Sequence, residues 1–346
     1  MKRPLSIAVD NGYYDHKVAY WDGDVIRTFK YPVVIGSKHE VMSTIDGQLV
    51  GMYETEGVRL VVDPTINNKI PLRYDEYGSS KENRTLVSHG LYKAGVAGGQ
   101  EVHLTTALPF RDFYNIDGSL NRSLIDAQKA NMLVPVSLVA SSDGPLEPIA
   151  NVTQSRVMSE GVAAVIDYLV RDSSGQARKM RAPIAVLDFG GSTFEVVTVM
   201  PNMNIRHSSS DTMKRGTYDI RTSFAPMLAD YLRELGFKMK HAADWMITEA
   251  FETGSIEFPG VGNDAGNRVI PVKHIIEEAA KPIVNEIKKF TQAKLPNMAE
   301  YEAILLVGGG GLLTESLFED WKEEFGLIVV DEYANARGML KVALIA

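Results

Sequence analysis

Ala185-Val-Leu-Asp-Phe-Gly-Gly-Ser-Thr-Phe-Glu-Val-Val-Thr-Val199 sets an acid, paired glycines and two hydroxyls between two runs of β-forming residues. Strand-formers on both sides of a short glycine turn spell a β-hairpin. Gly190 and Gly191 can turn their N–H groups toward an anion, the geometry that holds phosphate. Asp188, at the end of the first strand, is placed to hold a hydrated divalent cation that travels with phosphates. The same glycines in a dinucleotide fold would open a helix, whereas Phe194 to Val199 continues as strand. An ordinary hairpin explains the stretch equally well when it is taken alone. A second copy near the start, Ser6-Ile-Ala-Val-Asp-Asn-Gly-Tyr-Tyr-Asp-His-Lys-Val-Ala-Tyr20, turns one hairpin into a possible clamp.

The chain around these hairpins has 346 residues, more than one core usually organises, so two domains are expected. With 45% hydrophobic and 23% charged residues it reads as a globular protein able to bury a full core. The absence of cysteine excludes disulfides, thiolate zinc sites and a cysteine nucleophile. Asp10 interrupts the N-terminal apolar run before a signal-peptide core forms, and no window is long enough to cross a bilayer, so a cytoplasmic protein without membrane contact is expected. A net charge of −8 argues against a direct nucleic-acid surface and leaves any DNA association to an adaptor protein.

Alternation through Leu5, Ile7 and Val9, then Val18 and Tyr20, then Val25, Ile26 and Phe29 predicts a three-stranded meander. A loop-rich stretch is expected from there to about Gly78. The pattern then predicts a helix over 82–97, a strand over 101–107, a helix over 123–131 and a strand over 134–139. Ser159 to Val170 has helical spacing and leads into the second hairpin. Thr217 to Gly236 and Lys273 to Phe290 read as amphipathic helices, with Gly254 to Asn267 as a glycine-rich loop between them. Ile304 to Val307 is a buried strand that runs into Gly308 to Gly311, with a helix expected from Leu312. Strand, hairpin, helices, strand, glycine turn and helix occur twice, as though two halves repeat one plan.

Several side chains in this frame have a chemical and a structural reading. Lys17 starts the returning strand of the first hairpin, where its ammonium can reach phosphate oxygens as a point charge; it can equally be a solvated strand lysine. Glu160 opens a helix, where an acid complements the dipole; there it could also orient the water that attacks a γ-phosphate, since such hydrolysis needs positioning rather than covalent help. Gly308 to Gly311 can cap a helix or let a flat adenine approach the backbone. The seven histidines are scattered without ligand spacing.

With both hairpins, the helix-opening acid and the late glycine turn in this order, the chain resembles the actin-like ATPases of the superfamily of actin, sugar kinases and heat-shock chaperones. Within it, the chain is similar to the plasmid-segregation actins of the ParM/StbA type, on Thr105-Thr-Ala-Leu-Pro109 followed by Phe113-Tyr114, Lys129-Ala-Asn131, Val307-Gly-Gly-Gly310 and the late Arg337-Gly-Met339. The resemblance implies an α/β, actin-like fold: two similar domains with mixed β-sheets flanked by helices around a nucleotide cleft. It implies one domain from 1–165 plus 326–346 and another from 166–325. Asp10 and Asp188 become the acids that hold Mg2+ through water, Lys17 the phosphate lysine and Glu160 the water-positioning acid. Asn11, Gly12, Gly190, Gly191, Ser192 and Thr193 would meet the phosphates of ATP or ADP, Gly309 and Gly310 the adenosine, and Arg215 and Gly216 the turn beside it. Tyr13 and Tyr14 depart from the small hydroxyl residues usual in the first turn, and Glu195 stands where a second aspartate is common. The implied activity is Mg-dependent ATP hydrolysis that controls a helical filament of the chain with itself, moving plasmid DNA through a DNA-binding adaptor. A small-molecule kinase of the same superfamily would share the clamp, and so would a chaperone-like or reactivating ATPase.

Overall fold

The computed structural model of the chain describes residues 4–141, 144–170, 173–259 and 268–345. The predicted meander forms as Leu5–Asn11, Asp15–Asp22 and Val25–Pro32, each strand antiparallel to the next. On the other side of Leu5–Asn11, strands Glu101–Leu108 and Asn151–Ser159 add in parallel, completing a five-stranded mixed sheet. The second hairpin, Ile184–Phe189 and Phe194–Val199, is extended by Asp211–Met213 in antiparallel fashion and by Ala303–Val307 and Ile328–Val329 in parallel. The two sheets therefore share one strand plan, with a phosphate-type hairpin at the same place in each.

Period-two alternation gives each hairpin strand two apolar faces. Ile7, Val9 and Val18 pack toward Leu86, Val87 and Leu91 of the helix Lys81–Lys93. Ala185, Leu187 and Phe189 face Ile220, Phe224 and Leu228 of the helix Thr217–Glu234, with Ile276, Ala280 and Ile287 of Lys273–Lys294 in the same cluster. The opposite faces meet between the sheets. There the helix Glu160–Leu169 lays Ala164, Val165 and Leu169 against Ile184, Val186 and Val197 of the second sheet. The helix Ala334–Ile345 lays Ala336, Met339 and Leu340 against Ala8, Ala19 and Ala107 of the first. Each of these helices follows the last strand of one sheet and packs on the other.

Where the two helices cross, Gly338 permits backbone contact: a Cβ there would lie 1.7 Å from the carbonyl oxygen of Ala163. Beside the crossing, Asp167 accepts hydrogen bonds from Arg337 Nη2 at 2.7 Å and Lys341 Nζ at 2.6 Å. Arg337 also bonds Asp331 at 2.6 Å, so a buried carboxylate and two cations rivet the crossing.

Some expectations need correction. The stretch expected to be loop-rich holds strands Ile35–Ser37, Met52–Thr55 and Val58–Val62, which join Ser137–Val139 and Leu146–Pro148 in a small antiparallel sheet. It also holds the hairpin Met42–Ser43 with Leu49–Val50. Strands of two to five residues are too short for alternation to show in a sequence window. The strand expected over 134–139 is confined to Ser137–Val139. Gly254 caps the helix Asp244–Thr253 with φ 73°, and Ser255–Phe258 pairs with Arg268–Pro271 rather than forming loop; the rest of that expected loop, 260–267, lies outside the described residues. The helix expected from Leu312 begins at Gly309.

Candidate functional site

The two hairpin turns point into the space between the sheets, and their acids meet there. Asp10 and Asp188 are both buried, 5% and 4% exposed, at the ends of equivalent strands. Lys17 pairs across the first hairpin with Asp10, its Nζ 3.6 Å from Oδ2. On the second hairpin the charge partner is replaced by an amide: Asn335 Nδ2, from the start of the last helix, donates to Asp188 Oδ2 at 2.6 Å. Asn11 anchors its turn to the neighbouring strand Glu101–Leu108 by accepting the Ala107 N–H at 2.9 Å.

Burial drives the electrostatics of this cluster. It raises the Asp10 carboxyl above the usual carboxylate range against the pull of Lys17. Burial and the neighbouring Asp10 charge lift Asp188 to about 6, opposed by the Asn335 amide and Lys17. Glu160, half-buried at the first turn of its helix, is raised well above its ordinary value by desolvation and by Asp10, Glu195 and Asp188. Burial works against the Lys17 ammonium, but Asp10, Asp15, Asp188 and Glu332 outweigh it and hold the lysine charged. Three acids and one ammonium that all feel one another form an anionic centre short of positive charge, the condition that a hard cation relieves. Two aspartates are too few to chelate magnesium directly, and magnesium prefers to keep its water shell. The donor set therefore fits Mg2+ held through water by Asp10 and Asp188.

The remaining expected residues line the same space. Gly190 N–H donates to Thr193 O at 3.0 Å, closing the second turn and leaving Gly191, Ser192 and Thr193 half-buried at its tip. Gly216 abuts that tip: a Cβ on it would lie 2.3 Å from the Gly191 oxygen, and the N–H groups of Thr217 and Tyr218 donate to Gly190 and Gly191. The N-terminus of the 217–234 helix is thereby fixed against the phosphate-type turn. Arg215 is engaged by Glu286 at 2.9 Å and is half-exposed. Gly308, at φ 88°, turns the chain sharply after the Ala303–Val307 strand, in a conformation that a side chain would strain, and a Cβ there would lie 2.9 Å from Asp188 Oδ1. Gly309 lies near Glu332, and Gly310 packs on the Phe189 ring.

Two more residues join this cluster through contacts that the sequence does not show. Asn335 sits in a stretch matched only as the end of the pattern, and nothing local marks an asparagine as a partner for an aspartate 147 positions away. Glu195, 1% exposed, accepts from Phe110 N–H at 2.8 Å and Thr212 Oγ1 at 3.0 Å, tying the segment after the Glu101–Leu108 strand of the first sheet to the second sheet. Burial and Asp188 raise it to about 8.

Residues 5–170 match the family model described as plasmid segregation protein ParM, N-terminal. No curated protein sequence matches the chain. Solved structures resemble it along its whole length. An archaeal actin homologue, Ta0583, in complex with ADP superposes with a TM-score of 0.72 at 19% identity, covering 99% of this chain and 100% of that one. A ParM from a 15-stranded filament of Clostridium botulinum gives 0.67 at 18%, covering 100% of both chains. Bacillus thuringiensis ParM with AMPPNP gives 0.66 at 15%, covering 99% of both. The chain has the actin fold, with α/β architecture and mixed sheets flanked by helices.

Proposed function

We propose that the chain is an actin-like ATPase that binds Mg-ATP between its two sheets, hydrolyses it, and uses the nucleotide state to control a filament of its own copies. The observation that carries this reading is the convergence of Asp10, Lys17, Asp188 and Glu160, from three strands of two sheets and one helix, on one centre. An actin homologue bound to ADP and a ParM bound to AMPPNP share the fold, and a ParM of the same fold forms filaments.

In this reading Asn11, Gly12 and Gly190 to Thr193 hold the phosphates with backbone and hydroxyl groups, and Lys17 places one positive charge on their oxygens. Asp10 and Asp188 hold Mg2+ through water, and the ion neutralises charge on the phosphates when bound. Glu160 orients the attacking water by accepting, through a carboxyl oxygen, a hydrogen bond from the water O–H. Gly309 and Gly310 leave room for the adenosine, with Arg215 and Gly216 at the turn beside it. The division into residues 1–165 plus 326–346 and 166–325 puts one hairpin in each domain, so a nucleotide that touches both biases their closure. A head-to-tail interface that does not close into a ring makes the assembly helical. Plasmid segregation through a DNA-binding adaptor in the cytoplasm follows from the ParM likeness. It agrees with the net charge of −8, and no helix among the described residues is long and apolar enough to cross a membrane.

Light scattering of the purified protein across a concentration series with Mg-ATP tests the filament, and phosphate release in the same samples tests hydrolysis. Scattering should rise above a threshold concentration. A flat trace discards the filament even if phosphate is released. Glu160→Ala should bind ATP yet release phosphate at least tenfold more slowly, prolonging the scattering signal.

A further inference from the structure

Tyr13 and Tyr14 of the first turn have no task in the nucleotide reading, and Tyr14 reaches across the cleft. Its hydroxyl accepts a hydrogen bond from Arg221 Nη1 of the 217–234 helix at 2.9 Å, and the same guanidinium lies 5.9 Å from its ring centroid. A Cβ on Gly191 would come within 2.5 Å of Tyr14 Cβ, so the two hairpin turns touch at this residue. Arg221 is fixed from behind by Thr248 Oγ1 at 3.3 Å and by the carbonyl and carboxylate of Asp244 at 3.3 and 3.7 Å.

The same opening is bridged twice more. Lys69 Nζ, from the segment after the small sheet, lies 2.9 Å from Asp244 Oδ2. The Arg73 guanidinium sits 4.2 Å above the ring of Tyr218, in the first turn of the helix that abuts the second hairpin. All three contacts join residues 14–73 to residues 218–244, and none lies within one sheet's own region. They differ in shielding: Arg221 is 16% exposed, whereas Lys69 and Asp244 are 43% and 70% exposed. The outer ion pair is weak and screened by salt, while the inner bond has a charged donor and is sheltered. Such a graded closure can open from the outside inward.

We propose that Tyr14, Lys69 and Arg73 on one side, with Arg221, Asp244 and Tyr218 on the other, form a clasp that closes the cleft over the hairpin turns and sets the rate of nucleotide exchange. This rests on the nucleotide reading of the site. Tyr14→Phe keeps the ring and removes only the acceptor oxygen, and Asp244→Ala removes the outer pair and one of the braces on Arg221.

Two measurements test the clasp. Release of a fluorescent ADP analogue, chased by excess ATP, should quicken about threefold to tenfold in Tyr14→Phe, the effect of losing one hydrogen bond, and further in the double variant. Added salt should quicken release from the native chain more than from Asp244→Ala. Because the chain has no cysteine, spin labels at Lys38→Cys and Lys240→Cys report the opening without nucleotide. The nucleotide-free distance distribution should lengthen in the double variant. Unchanged release and an unchanged distribution would overturn the clasp. If the native chain binds no analogue, the nucleotide reading fails; the spin-label distances then still decide whether these contacts hold the cleft shut.

Discussion

The two hairpins share a strand plan and an acid at the same position, yet each compensates its acid differently. Asp10 is answered by a cation on its own returning strand, Lys17. Asp188 is answered by a neutral amide borrowed from the last helix, Asn335. The first turn carries bulky tyrosines, one packed on Tyr77 and one reaching across the cleft to Arg221, and the second carries glycines against which a helix N-terminus seats itself. A repeated fold thus does not imply a repeated charge balance. One mobile positive charge serves a centre with several acids, which leaves room for a second, external one.

The largest break in this comparison separates the halves altogether. Gly338→Val would drive a side chain into the Ala163 backbone, and we expect a loss of more than about 4 kcal/mol or failure to fold, read by chemical denaturation. A melting curve equal to the native one would show that the helices can shift apart freely. Next, Lys17→Met removes the local partner of Asp10 and should cost roughly 3 kcal/mol in cation-free protein, because a buried acid is left uncompensated. Adding Asp10→Asn should restore most of that loss, and an additive double variant would argue against the pairing.

A pH series tests the second hairpin. Burial raises Glu195 from 4.5 to about 8, so between those values the fold holds a proton that the unfolded chain releases. The native state then binds more protons, and stability falls as pH rises through the window. Without divalent cation, Glu195→Gln should match the native melting temperature near pH 4.5. It should gain on it toward pH 8 by an amount on the order of 2 kcal/mol. A constant offset across the window would refute the proton account. The first sheet's buried His89, beside Tyr53 and depressed to about 4, has the opposite slope and loses stability as the medium becomes acid. The smallest effect should come from Asn335→Ala, about 1–2 kcal/mol, since a neutral bond to Asp188 is lost and water can replace part of it. A loss as large as that from Lys17→Met would erase the distinction between the hairpins.

The parts that the sequence shows plainly are those with a local period. The meander, the Glu160 and Lys273 helices and the Ala303 strand carry their apolar spacing in consecutive residues, and glycines mark the turns. The small sheet from Ile35 to Pro148 pairs residues as far apart in the chain as Tyr53 and Leu138, so that pairing has no local trace. The same distinction governs the site. Asp10, Lys17 and Asp188 stand next to their turns, whereas Asn335, Glu195 and the Tyr14–Arg221 bond acquire meaning only from contacts across the chain. A tyrosine in a turn is unremarkable until the helix 207 positions later supplies its partner.

The exchange of the two crossing helices has a consequence for how the protein is made. The alanine face of the first sheet, Ala8, Ala19 and Ala107, is covered by Ala336, Met339 and Leu340. On the ribosome, the first hairpin can form early, and Ala163 and Ile166 can join that cluster next, but its cover is complete only once nearly the whole described chain has emerged. The earliest strands are completed by the latest helix, so a translation product that stalls before residue 334 lacks Ala336, Met339 and Leu340 from the cover of this sheet face.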